Sequence, residues 1–156
     1  LTEKRQRKKL KICKIKKGEN MEDRYLFKAK RIDNGEWVQG ALFNGESHCI
    51  IGQEIKFSPY TEHECKIVGY EVDRDTICQC TGLKDKNGKL IWENDVVRVT
   101  INSGSTICRC AFADTVAQFQ LWQKHTIKRT STVLNLGNYE CEVIGNIFDN
   151  PELLEK

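Results

Sequence analysis

The stretch Ile77-Cys78-Gln79-Cys80-Thr81-Gly82-Leu83-Lys84-Asp85-Lys86-Asn87-Gly88-Lys89-Leu90-Ile91-Trp92-Glu93-Asn94-Asp95-Val96-Val97-Arg98-Val99 decides how this chain is read. It divides into strand, polar loop, tight turn, strand, turn and strand. Side chains alternate across a strand, so Ile77 and Gln79 take one face and Cys78 and Cys80 the other. Gly82 permits a sharp exit. Residues 84–88 then read as a solvated hairpin tip with Asn87-Gly88 at its apex, because both residues tolerate the positive φ that short hairpin turns need. On the return, Leu90 and Trp92 share a face, with Lys89 and Ile91 opposite. Glu93-Asn94-Asp95 turns the chain again. Val96, Val97 and Val99 build a buried strand with Arg98 directed outward.

The same grammar continues in both directions. Residues 25–32 form a first strand, Asp33-Asn34-Gly35 a turn, and residues 36–43 a second strand with Trp37 as core anchor. Asn44-Gly45 closes it. Residues 47–52 form a short apolar strand that 54–57 either extend or follow with another. Pro59 breaks the pattern, 65–70 is the next strand, and Asp73-Arg74-Asp75 a turn or single helical turn. Beyond the central stretch, Asn102-Ser103-Gly104 turns the chain, and 106–112, 116–122, 130–136 and 139–148 are strands. Asp149-Asn150-Pro151-Glu152 offers a capping residue, a proline at a first helical position and an acidic first turn. That predicts a short C-terminal helix at 151–154 or slightly beyond. Short strands at spacings of roughly 8–12 residues, with no sustained 3.6-residue stripe, point to short antiparallel strands in a small barrel or sandwich. The expected fold is mostly β, β-rich α+β at most.

Composition narrows the class. The chain has 156 residues, room for one ordinary domain or two small ones, and such a chain buries roughly 68–70% of its unfolded surface without staples. Hydrophobic residues at 39% and charged residues at 30% suit a globular protein in water. Uncharged runs such as 115–123 and 130–139 fall short of the roughly 20 apolar residues of a membrane span. The N-terminus has no apolar core of a signal peptide, so a cytoplasmic location is expected, with no membrane partner. The formal net charge of +3 is unevenly placed. Residues 1–20 carry nine Lys/Arg against Glu3 and Glu19, a net of +7, and the remainder carries sixteen against twenty acids, a net of −4. A like-charge block of this kind reads as a disordered basic leader. Met21 is the sole methionine, so the leader is either an extension upstream of a start at Met21 or a basic arm that touches phosphate.

The run Thr81 to Lys89, followed by aromatic Trp92, Glu93 and Asp95, resembles the hallmark of the YopX family, small proteins encoded mainly by phages and prophages. Glu142-Val143-Ile144-Gly145-Asn146-Ile147-Phe148 and Asn150-Pro151-Glu152-Leu153-Leu154 are similar to its second signature, and Phe27-Lys28-Ala29 with Gly35 and Trp37 to its opening. The likeness spans about 21–154. Two departures stand out. Asn94 replaces a usual glycine between the acids, and if that position is left-handed Asn is the next most tolerant residue. Cys80 replaces a usual aromatic, which implies a larger neighbour filling the space. The resemblance implies a predominantly β fold whose C-terminal half, 75–156, is an SH3-like barrel with the terminal helix, behind an N-terminal β subdomain at 21–74. It implies no activity.

No residue pattern spells out an active site. Of eight cysteines, Cys78 with Cys80 and Cys108 with Cys110 form two same-face pairs. Together they could make a four-thiolate zinc site if their strands were neighbours, with His63 and Cys65 a third pair. Structural zinc favours knuckles at turns, whereas Cys-x-Cys in a strand is how small buried hydrophobes look, so packing is the expected role and no metal or cofactor is expected. His48 and Cys49 are adjacent and so face opposite ways, which rules them out as base and nucleophile. His63 and His125 read as surface histidines. Glu93 and Asp95 read as turn residues, with Asp95 accepting backbone N–H bonds. Lys84, Lys86 and Lys89, with Arg98 nearby, form the one basic surface to carry a binding proposal. The expectation is a non-enzymatic binding module for a protein or nucleic acid. The alternative is a nucleic-acid-binding protein or a nucleic-acid-acting enzyme.

Overall fold

The computed structural model describes residues 23–57, 65–101, 104–124 and 131–155. The basic segment 1–20, Pro59, His63 and His125 lie outside the described residues. Eleven strands run in chain order through them: β1 (Phe27–Lys30), β2 (Trp37–Asn44), β3 (Cys49–Phe57), β4 (Cys65–Glu71), β5 (Cys78–Lys84), β6 (Leu90–Trp92), β7 (Asp95–Ile101), β8 (Gly104–Ala113), β9 (Gln118–Lys124), β10 (Ser131–Asn135) and β11 (Glu140–Asn146). The only described helical pieces are 3₁₀ turns at Asp23–Tyr25, Arg74–Thr76 and Pro151–Leu154. No described helix is long and apolar enough to cross a membrane. Residues 54–57 continue β3 past a register shift between Gly52 and Glu54.

The strands make two antiparallel sheets, ordered β4-β3-β2-β1-β5-β6 and β10-β9-β8-β7-β11. Among the described residues neither sheet closes on itself, so the SH3-like barrel expected for the C-terminal half is not seen there. The reason is pairing: β5, the first strand of that half, pairs instead with β1 of the first sheet, and β6 follows it there as the edge strand beside β5. The chain changes sheets at Glu93-Asn94, between β6 and β7. The expected C-terminal helix is also corrected. It is a single 3₁₀ turn at Pro151–Leu154, and Asn150 gives it no side-chain cap.

The alternation read from the central stretch decides where the cores lie. Ile77 packs with Ala29, Cys49, Ile51 and Val72 on one face of the first sheet. Cys78, Cys80 and Trp92 pack with Leu26, Trp37, Leu90 and Phe148 on the other. Ile91 leaves its strand neighbours and enters the core of the second sheet beside Val97, Val99, Cys108, Cys110, Leu121 and Cys141. One three-residue strand thus feeds two cores, because residue 91 and residue 92 must point opposite ways. The Arg74–Thr76 turn follows its sequence cue, with the Asp73 carboxylate accepting from the Asp75 amide.

Candidate functional site

Asp95, at the start of β7 and 1% exposed, is a buried carboxylate with three hydrogen-bond donors. One of its oxygens accepts from the Trp92 amide at 2.9 Å, the turn bond its sequence position calls for. The other accepts from Lys28 Nζ at 2.7 Å and Asn146 Nδ2 at 3.2 Å. Lys28 stands on β1 and Asn146 on β11, so this carboxylate ties the two sheets. The Lys28 ammonium also lies 5.1 Å and 5.4 Å from the ring centres of Trp37 and Trp92, where the negative faces of the indoles add to its stabilisation. Next to this centre, Trp37 Nε1 donates to Asp149 at 2.7 Å, and Lys30 forms an ion pair with Asp149. The Lys30 and Trp37 bonds hold the Asp149 carboxyl below the ordinary carboxylate value, against the opposing effect of partial burial.

Asn94 carries the turn into this centre with φ at 66°. Its amide donates to the Cys110 carbonyl and its carbonyl accepts from the Ile147 amide. Its side-chain oxygen accepts from Arg109 Nε at 3.1 Å and Nη2 at 2.6 Å, and its side-chain nitrogen donates to Cys78 Sγ. The position is left-handed, the condition under which Asn is the best substitute for glycine, and the side chain is engaged as fully as the backbone.

Of the tip residues 84–88, Lys84, Lys86, Asn87 and Gly88 are exposed, as the sequence suggests, and Asp85 is the exception. Asp85 is 7% exposed. It accepts from the amides of Asn87 and Lys89 with one oxygen and from the Val143 amide with the other. The Lys86 amide donates to the Cys141 carbonyl at 2.9 Å. The tip is therefore latched along the free side of β11. Burial pushes the Asp85 carboxyl up, but the three amide donors outweigh it and the net displacement is downward. Gly88, at φ 80°, makes the turn possible.

The four basic residues read from the sequence make different contacts. Lys86 and Arg98 both bind Glu142, each at 3.0 Å, and that pairing, led by Lys86, lowers the Glu142 carboxyl. Lys84 and Lys89 line an open groove of about 420 Å³ with Asp23, Gln39, Gly88, Leu90 and Trp92. The cysteine pairs are separated as well: Cys78 and Cys80 sit in the core between Trp37 and Trp92, and Cys108 and Cys110 in the core of the second sheet. Burial pushes the Cys78 and Cys108 thiols up to about 11 and raises Cys80, Cys110 and Cys141. They are protonated packing residues at neutral pH. His48 is exposed against Glu71, while Cys49 is buried and donates to Asn44 Oδ1 while accepting from Arg74 Nε. The side chain of Cys65 lies outside the description.

A family profile described as YopX protein matches residues 26–155. The chain belongs to the YopX family. No curated protein matches it. Among solved structures it is similar to protein EF1440 from Enterococcus faecalis, known from a crystal structure, with 28% sequence identity over 82% of this chain and 96% of that one and a TM-score of 0.55.

The YopX signature of this chain is a set of structural bonds. The Thr81 hydroxyl donates to the Ile91 carbonyl and accepts from the Leu83 amide, Asp85 latches the tip, and Asp95 joins the sheets. Two surface residues escaped the sequence reading. Trp122 and Arg109 face each other across β9 and β8 on the outer side of the second sheet. The signal was present in the alternation. Leu121 and Phe119 point inward, so the Trp between a buried Leu and a polar Gln must point out. Arg109 lies between two buried cysteines and must do the same.

Proposed function

We propose that the protein is a non-enzymatic binding module, a phage or prophage accessory protein that works in the cytoplasm of a bacterial host. One observation carries this reading: among the described residues, the Asp, Cys and His side chains that could catalyse are buried or engaged in structural bonds. Asp85 and Asp95 accept from backbone and lysine donors, the described thiols are buried, and His48 pairs at the surface with Glu71. Among the described residues no three of His, Cys, Asp and Glu converge. What is left facing water is recognition chemistry: the Lys84–Lys89 groove, the exposed arginines and scattered aromatics.

The test uses the full chain, tagged and expressed in host cells before and after prophage induction. Co-purifying proteins and nucleic acids are identified together, and the same material is incubated with labelled DNA and RNA. A stoichiometric ligand recovered without chemical change is expected. Turnover of either nucleic acid by the purified chain, abolished in a binding-dead variant, would replace this reading with the enzymatic one.

A further inference from the structure

We propose that the outer face of the five-stranded sheet, centred on Trp122, is a platform for single-stranded nucleic acid. The proposal rests on the binding-module reading and names a ligand class for it. Trp122 is 39% exposed, an unusual position for an indole, and its cross-strand neighbour is Arg109. The guanidinium of Arg109 is held by two hydrogen bonds to the neutral Asn94 carboxamide. It is oriented in advance without losing its charge. The next row of the same face carries half-buried Ile107 opposite Arg98. Arg98 shares a single carboxylate, Glu142, with Lys86, which leaves one positive charge in excess in that trio. Glu140, on the same face, is displaced to the far end, opposite Thr100.

The other end of the face is closed. A side chain at Gly145 would collide with Asn150 and Leu153 of the C-terminal turn, and Val96 is fully buried beneath it. The open area is thus the β8–β9 side, with an indole at its centre and fixed cations beside it. Every base has a π-face that stacks on an indole, and a guanidinium takes a phosphate oxygen. A duplex keeps its bases inside its own stack and can offer only phosphates. An acidic peptide would meet the arginines and leave the indole unmatched. Charge and aromatic complementarity together select an unpaired, anionic strand.

The experiment measures fluorescence anisotropy of a labelled oligothymidylate of about a dozen nucleotides with the full chain, and the intrinsic tryptophan emission alongside. Trp122→Leu is expected to weaken binding by about tenfold and Trp122→Phe by less, because a phenyl ring still stacks. Arg109→Gln is expected to reduce the salt dependence by about one phosphate contact. The basic residues 1–20 are present in every variant and contribute equally. Binding should quench emission in the parent chain and not in Trp122→Phe, a readout that needs no destabilising change. The proposal is overturned if the parent chain does not bind, if duplex of equal length binds as well, if binding leaves the emission unchanged, or if Trp122→Leu and Arg109→Gln bind as the parent does. Loss of a host protein ligand in Trp122→Leu, with no oligothymidylate bound by the parent, overturns the nucleic-acid assignment and leaves the binding-module reading standing.

Discussion

Asp95 and Asn94 show how much of the molecule hangs on two adjacent side chains. Removing Asp95 strands the Lys28 ammonium, nearly buried between two indoles, and unpairs the Trp92 amide. Asp95→Ala is therefore expected to cost about 3–5 kcal/mol in urea unfolding, since breaking one side of a buried ion pair leaves an uncompensated charge. Replacing both partners with apolar residues of similar volume should recover a substantial part of that loss. A cost for Asp95→Ala no larger than an ordinary surface substitution would show the pair to be dispensable. Asn94 gives the opposite expectation. Glycine relieves the left-handed backbone but gives up the bonds to Arg109 and Cys78, two effects of similar size and opposite sign, so Asn94→Gly should lie within about 1 kcal/mol of the parent. Asn94→Val should cost about 1–3 kcal/mol, because a β-branched residue resists φ near 66°. Unfolding midpoints of the two variants compared side by side decide the point.

At the scale of elements, the latch between the hairpin tip and β11 carries its own prediction. Asp85→Ala removes the acceptor of three amides, and the expected loss is about 1–3 kcal/mol, with faster hydrogen exchange at Val143 and Lys89. Unchanged exchange at Val143 would mean that the latch is held by the Lys86–Cys141 backbone bond alone. This latch also marks the limit of what the sequence can disclose. The alternation of Ile77 to Trp92, the outward Arg98 and the helical turn after Asp73 were legible, because each is a local consequence of strand period or turn chemistry. The partner of Asp85 lies 58 residues away, and no local pattern announces it. The barrel failed for the same reason. Strand positions are local, but whether β5 pairs within the C-terminal half or with β1 is a choice between distant edges. The candidate surface was legible in the same proportion. The lysines of the tip were visible, but their division by Glu142 was not, since Glu142 reaches them only through the β7–β11 pairing.

For the whole molecule, the ionisable groups set a stability plateau with two flanks. Asp85 and Asp149 titrate below the ordinary 3.8 and Glu142 below 4.5 when folded. Each binds its proton less readily in the folded state, so its contribution is complete above the ordinary value and is lost as pH falls through the depressed one. The urea midpoint should therefore drop steeply as pH falls below about 4, and Asp85→Asn should shallow that drop. The thiols act in the other direction. With Cys78 and Cys108 raised from 9.0 to about 11, their contribution is complete below 9 and is lost as pH rises toward the folded values. A midpoint that stays flat through both ranges would contradict the assigned bonds. Thiol counting adds a check at neutral pH. The six described cysteines are buried, so the native chain should show at most two fast equivalents with a chromogenic disulfide, and all eight only after denaturation. The sheet-joining contacts, last, have a consequence for the order in which the molecule is made. Lys28 and Lys30 leave the ribosome well before Asn146 and Asp149, which complete the contacts around Asp95 and Lys30. Val143, the far side of the latch, is equally late. A nascent chain thus carries Lys30 without its counter-charge and the hairpin tip without its latch until β11 and the turn after it are translated. Stalled nascent chains that expose residues only as far as β10 should remain open to protease at the β5–β6 hairpin, and chains that expose β11 should not.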